Sequence, residues 1–432
     1  MTSRFQHFLH QIRSRPTVRE LLRNSAFFSS GQLYQLALSA LLNILLARRL
    51  GPDLMGIYIA TQSMVGLVMV FANLGIEVPF KREASRDKNK FPIYYGSALA
   101  IRLTISAPIT FIVSIIAGTI LGIGSVPVVT LMVLLMVTIS FGALTKAAYQ
   151  ALNHFDIAAK LTIFAQTVYV GITALILWLS PDLMIVLASM ALLQAGILSV
   201  NLGVLWRMGY HFRLLWDFQL WKRMIREALP VMLANSGEYA NLRSDSIIIA
   251  AVLGSFFAGI YGVAYSFYLM MAIIVYLPSV SAFPTLARYS ASHDMRAYRK
   301  FVNKLGLAIV GYSVAIAIVL FFLAPILIPL LYGQEYQASL DPLKILVFAL
   351  PFVALNRLMV QSLNASGLQK WTFIATATGA FFNIGVNLLL IPRFGIMAAA
   401  ATTLATELLV WLVASLGLLT TSKRTPVVHP GT

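Results

Sequence analysis

Leu50-Gly51, four residues, then Gly56-Ile57-Tyr58 returns later in the chain as Leu253-Gly254, four residues, then Gly259-Ile260-Tyr261. The offset is 203 residues, close to half of the 432-residue chain. Each copy lies between two long apolar runs, so the repeating unit is a helix, a tight turn and a second helix. A weaker echo pairs Gln150-Ala151-Leu152-Asn153 with Gln361-Ser362-Leu363-Asn364, again between apolar runs. A two-fold repeat in a strongly apolar chain is a mark of secondary transporters, whose substrate sites lie at the interface of the repeats.

Composition sets the solvent. Apolar residues make up 59% of the chain and charged residues 11%, against about 25% charged in soluble domains. The chain reads as an all-α integral membrane protein. Twelve spans of about 20 apolar residues are predicted at 24–47, 57–76, 94–121, 127–148, 160–180, 184–206, 228–252, 257–278, 303–331, 342–363, 371–391 and 395–419. Barrel strands are excluded, because the runs are helical in length and do not alternate. The stretch 1–23 carries five arginines and no uninterrupted apolar run, so it reads as a basic cytoplasmic segment and not as a cleaved signal peptide.

The net charge of +17 follows a topology and forms no nucleic-acid patch. With the N-terminus in the cytoplasm, 26 of the 32 Lys and Arg residues fall inside, Lys146 and Arg357 among them. Arg48, Arg49, Lys344 and Arg393 fall outside, while Arg102 and Arg243 sit within spans. That bias is what the positive-inside rule demands of an even number of spans with both termini cytoplasmic, in the cell membrane. The halves divide into a six-helix bundle over 24–206, a cytoplasmic linker over 207–227, a second six-helix bundle over 228–419 and a tail over 420–432. Six spans per half give parallel repeats. Phe5, Phe8, Leu9 and Ile12, and again Leu214, Phe218, Trp221 and Ile225, fall at helical spacing among basic residues. Each set fits either a helix lying on the headgroups or an ordinary basic loop.

No catalytic signature is present. The chain has no Gly-Lys dipeptide and hence no Walker loop, no cysteine, and no histidine pair at metal-ligand spacing. Neither an enzyme nor a cofactor is expected.

The informative polar residues lie inside the spans. Ser25, Gln32, Gln35, Ser39 and Asn43 share about a quarter of the first helix's circumference, either as a cavity wall or as interhelical glue. In the seventh span, the duplicate of the first, Glu238, Asn241 and Asp245 share one face and Arg243 points elsewhere. Buried charges cost on the order of 2.5–3.5 kcal/mol each on insertion scales, so they face the interior. Arg243 is expected either to pair with Glu77 or Glu407 or to meet substrate. Arg102, in the third span, either snorkels to the headgroups or presents its fork of donors to a phosphate. Glu407 is a partner for a cation elsewhere or a protonatable group.

Arg243-Ser244-Asp245 leading to Leu253-Gly254, Gly259-Ile260-Tyr261-Gly262-Val263-Ala264, Phe283-Pro284 and Leu389-Leu390-Ile391-Pro392-Arg393-Phe394-Gly395 carry a family resemblance. The chain resembles the polysaccharide biosynthesis flippases of the multidrug/oligosaccharidyl-lipid/polysaccharide exporter superfamily. The resemblance implies a V-shaped pair of six-helix bundles around a central cavity walled by the first and seventh helices. It implies movement of a polyprenyl-diphosphate-linked glycan from the cytoplasmic to the outer leaflet by alternating access. Membrane lipids, and glycosyltransferases or a polymerase of the same pathway, are the implied partners. It leaves open whether Arg102 or Arg243 meets the diphosphate. Two other readings stand beside it. One is a cation-coupled multidrug exporter of the same superfamily, which Glu238 and Asp245 would suit and the two arginines would not. The other is a non-transporting scaffold for glycan assembly.

Overall fold

The computed structural model describes residues 16–292 and 295–421. The basic N-terminal stretch with Phe5, Phe8, Leu9 and Ile12, and the tail beyond residue 421, lie outside the described residues. The fold is helical throughout. In chain order the helices are α1 (Pro16–Ala72), α2 (Glu77–Arg86), α3 (Phe91–Ile101), α4 (Ala107–Leu121), α5 (Val126–Ala151), α6 (Phe155–Leu179) and α7 (Leu183–Arg207). They continue with α8 (Phe218–Leu253), α9 (Ser255–Ser281), α10 (Phe283–Ala291), α11 (Met295–Tyr332), α12 (Leu340–Leu346), α13 (Leu350–Ala365) and α14 (Gln369–Thr421). Among the described residues nine helical stretches are long and apolar enough to cross a membrane, as expected of an integral membrane protein.

Two of the longest helices fold at a glycine. Gly51 in α1 (φ 72°, ψ 173°) and Gly395 in α14 (φ 66°, ψ −152°) occupy backbone space open essentially to glycine alone. Pro52 follows Gly51 at a first helical position, where its missing N–H leaves no bond unmade. The α8–α9 turn repeats the device with Gly254 (φ 93°, ψ 175°). The two copies of the sequence repeat therefore share a backbone conformation at equivalent glycines.

The chain forms two compact units. The first takes the described chain up to Arg49, Val68–Ile116 and Val126–Met232. Here α5 packs along α7, and α6 along α7. Its core gathers Phe80, Phe91, Tyr95, Leu144, Tyr149 and Trp221, all buried, with Phe91 and Tyr95 stacked at 5.1 Å. Between α3 and α4 the helix widens into one π-helical turn, Arg102–Ser106. Pro108, just inside α4, cannot donate to Thr104 and its ring crowds that carbonyl, which is the local cause of the extra residue. Asp217 caps α8, its carboxylate accepting from the Gln219 and Leu220 amides.

The second unit holds Leu50–Leu67, Ala117–Ser125 and the described chain from Leu233 onward. Within it α13 packs against α9, α11 and α14. The two repeat copies also meet here, face to face. A Cβ on Gly56 would strike the Ser255 carbonyl oxygen, and a Cβ on Gly259 would strike the Pro52 carbonyl oxygen. Those four positions are related by the same 203-residue offset, so the contact is reciprocal, as about a local two-fold axis. Ile59 packs on Gly262, its own counterpart, and the Ser255 hydroxyl donates to Asp53 at 3.2 Å.

Candidate functional site

In the first unit the polar stripe of α1 is matched from two other helices. Lys146 of α5 donates through Nζ to Gln32 Oε1 at 2.9 Å and to Gln35 Oε1 at 3.5 Å. Gln166 of α6 donates to the Ser39 hydroxyl at 3.2 Å. Asn43 keeps a buried Oδ1 with no hydrogen-bond partner among the described residues. Of Ser25 only the helix is described. Lys146, counted on the cytoplasmic side within the predicted span 127–148, lies near the end of α5 (Val126–Ala151), where its ammonium turns two glutamines into one charged polar patch.

Arg102 departs from both expectations. It is 1% exposed, so it neither snorkels nor faces open space. Its Nη2 pairs with Glu77 at 2.5 Å and its Nη1 donates to the Ser140 carbonyl. The Ser140 hydroxyl in turn donates to Asn73 at 2.8 Å. Arg102 thus ties the π-helical turn to α2 and α5. Glu77, expected as a partner for Arg243, is taken.

In the second unit α8 carries the other candidates, and they separate by burial. Glu238 is exposed and paired with Arg357 of α13 at 2.9 Å, whose guanidinium lies over the Tyr276 ring at 5.3 Å. Asn241 is half-buried, with a buried Oδ1 that finds no partner. Asp245 is buried; it accepts from the Tyr261 hydroxyl at 2.6 Å and the Ser246 amide at 2.7 Å. Tyr261 also reaches Thr403 at 3.5 Å, and Ser244 donates to Asn383, which donates to Thr406. This network joins α8, α9 and α14 through polar groups that hydrocarbon would leave unsatisfied. Glu407 accepts from Asn356 Nδ2 at 2.5 Å. It is therefore not the partner of Arg243 either.

Arg243 is left over. It is half-buried in α8, and among the described residues it forms no ion pair within 4 Å and no hydrogen bond. Its charge is felt at Tyr58, Tyr239, Tyr265 and Asp245. Tyr58 belongs to one copy of the repeat, and its equivalent Tyr261 in the other copy holds Asp245. The arrangement offers a half-buried guanidinium with no ion pair within 4 Å among the described residues, its charge reaching Asp245 and three tyrosines, a setting for an anionic ligand.

Residue types alone hid several participants. Tyr265 and Tyr268 extend the Tyr261 face of α9 at helical spacing, with ring centroids 5.6 and 5.5 Å apart along the row. Arg357 was counted with the cytoplasmic basic residues although it falls within the predicted span 342–363. An Asn356-Arg357 pair inside an apolar run was the available signal. Among the described residues no group of His, Asp and Glu is placed to hold a metal ion.

A sequence model of the polysaccharide biosynthesis protein family matches residues 21–290. The probable flippase AglR of Haloferax volcanii is 31% identical over 167 residues, which is 37% of this chain and 34% of that protein. The lipid II flippase MurJ, in an inward closed conformation, superposes with a TM-score of 0.73 at 16% identity, over 93% of this chain and 88% of that one. A multidrug resistance MATE family transporter of the MOP superfamily, in an inward-facing conformation, gives 0.72 at 11% identity, over 91% and 96%. At such identities the two structures speak to the fold, and they speak equally.

Proposed function

The chain belongs to the polysaccharide biosynthesis protein family, and from that premise we propose that it flips a polyprenyl-diphosphate-linked glycan from the cytoplasmic to the outer leaflet of the cell membrane. It acts as a transporter, by alternating access, with both termini cytoplasmic. The nine membrane-length stretches become twelve spans in two parallel six-helix repeats once α1 and α14 are each divided at their glycine and α8 is added. The 36-residue α8 falls outside the nine because its polar residues dilute its hydropathy. Those same residues form the candidate site.

The observation that carries the reading is Arg243. A cation inside an apolar span is expensive and is normally neutralised. Arg102 and Arg357 pair with carboxylates and Lys146 is held by two glutamines; among the described residues Arg243 has no ion pair or hydrogen bond, and a diphosphate is a counter-ion its planar fork fits. Enzymes that assemble glycans on the lipid would supply the substrate.

A cation-coupled multidrug exporter is the second reading, favoured by the MATE likeness and the buried Asp245. Against it, Asp245 is buried with both oxygens already engaged by Tyr261 and Ser246, and the charge of Arg243 nearby is positive. Mass spectrometry of lipid extracts from cells lacking the protein separates the two. A flippase leaves one lipid-linked glycan accumulated, cleared by the wild-type gene and not by R243Q. An unchanged lipid profile with new sensitivity to cationic drugs overturns the flippase in favour of the exporter.

A further inference from the structure

A groove of about 740 Å³ lies in the first unit where α8 begins, lined by none of the candidate site residues. Its volume falls within the roughly 300–1,000 Å³ of small-molecule sites. Trp221, 5% exposed, forms the floor, and its indole is fixed by donating to the Leu215 carbonyl at 3.1 Å. Thr104 and Ile105 of the π-helical turn make one wall, and Ile225 and Leu229 of α8 the other. Trp216 and Phe218 stand at the lip, 53% and 72% exposed. Such turns recur at functional sites because they re-aim side chains.

The charges at the rim are all of one sign. Lys222 and Arg226 are exposed neighbours one turn apart on α8 and line the groove. The nearby acids are occupied: Asp217 caps α8, and Glu227 pairs with Arg82. Among the described residues neither Lys222 nor Arg226 has an ion pair or hydrogen bond. An apolar slot with two uncompensated cations and two tryptophans is complementary to an anionic amphiphile at headgroup depth.

We propose that this groove binds one anionic phospholipid of the bilayer, an acyl chain lying on Trp221 and Ile225 and the phosphate held between Lys222 and Arg226. The bound lipid would brace the start of α8, the helix that carries Arg243. The site stands independently of the transport reading, since its chemistry uses none of the same side chains.

Native mass spectrometry of the full chain in mild detergent tests this, with phosphatidylglycerol and phosphatidylcholine of matched acyl chains as probes. One phosphatidylglycerol should be retained in preference to phosphatidylcholine. K222Q/R226Q should weaken that binding about fivefold per cation and about 30-fold together, while R207Q/R213Q, whose cations lie outside the groove, should not. T104F fills the slot and keeps both charges; it should also lose the lipid, and it carries the test if K222Q/R226Q fails to fold. Equal retention of both lipids, or undiminished binding by K222Q/R226Q or T104F, overturns the proposal. So does displacement of phosphatidylglycerol from these residues by a short-chain prenyl diphosphate, which would make the groove a substrate subsite.

Discussion

Arg102 and Arg243 are the two arginines set within predicted spans, and the molecule treats them oppositely. Arg102 is fully enclosed, paired with Glu77 and bonded to the Ser140 carbonyl. Arg243 is half-buried and, among the described residues, has no partner. Both sit in apolar helices and both carry a cost of leaving water, larger for the enclosed Arg102. The difference lies in what offsets that cost. In the first unit it is offset within the protein, by Glu77 and the Ser140 carbonyl. In the second no ion pair offsets it among the described residues, and the proposed function assigns that charge to a ligand. Polarity inside a membrane therefore marks a functional residue only after its partners are counted.

The contrast can be broken by mutation, and the largest effect should fall on Arg102. Removing one member of a buried pair leaves an uncompensated charge and costs about 3–5 kcal/mol. R102Q should fall near the lower bound, since Glu77 retains 33% side-chain exposure. Denaturation in detergent checks this. R102M/E77L, which removes both charges, should recover most of the loss; no recovery would mean that the Ser140 contact dominates. Next come the glycines at the reciprocal contact. G56A and G259A should each cost about 1–3 kcal/mol through overpacking, and by the same amount, because each Cβ meets the same backbone atom of the opposite copy. Unequal losses would break the local symmetry. E238Q should cost about 0.2–1 kcal/mol, since its pair with Arg357 is solvent-screened, with side chains 48% and 38% exposed. R243Q should change stability by less than about 0.5 kcal/mol while abolishing transport. A variant that unfolds instead would place Arg243 with Arg102.

Much of this was legible before the structure. Hydropathy identified an all-helical membrane protein, of which nine membrane-length stretches are found among the described residues, and the paired Leu-Gly…Gly-Ile-Tyr stretches located two helix–turn–helix units whose glycines adopt the same conformation. The polar stripe of α1 and the polar face of α8 were visible from helical periodicity. What was not legible is which group answers which. Glu77 is 25 residues from Arg102, Lys146 is 114 from Gln32, and Asn356 is 51 from Glu407. No spacing rule connects such pairs, because packing between helices, and not the period within one, brings them together. Burial was equally hidden: Glu238 and Asp245 lie two turns apart on one face, yet one is exposed and the other sealed under Tyr261. The span predicted at 228–252 lies within α8 (Phe218–Leu253), although its polar residues lower its hydropathy.

The most direct test of the central claim is the affinity of the purified protein for a short-chain prenyl-diphosphate saccharide, measured for wild type, R243Q and E238Q. A hydrogen-bonded charge contact is worth about 1.5–3 kcal/mol, so R243Q should bind about 10- to 150-fold more weakly. E238Q, whose carboxylate is engaged by Arg357, should bind as wild type does. Equal affinity in R243Q and wild type would contradict the account and return Arg243 to a structural role.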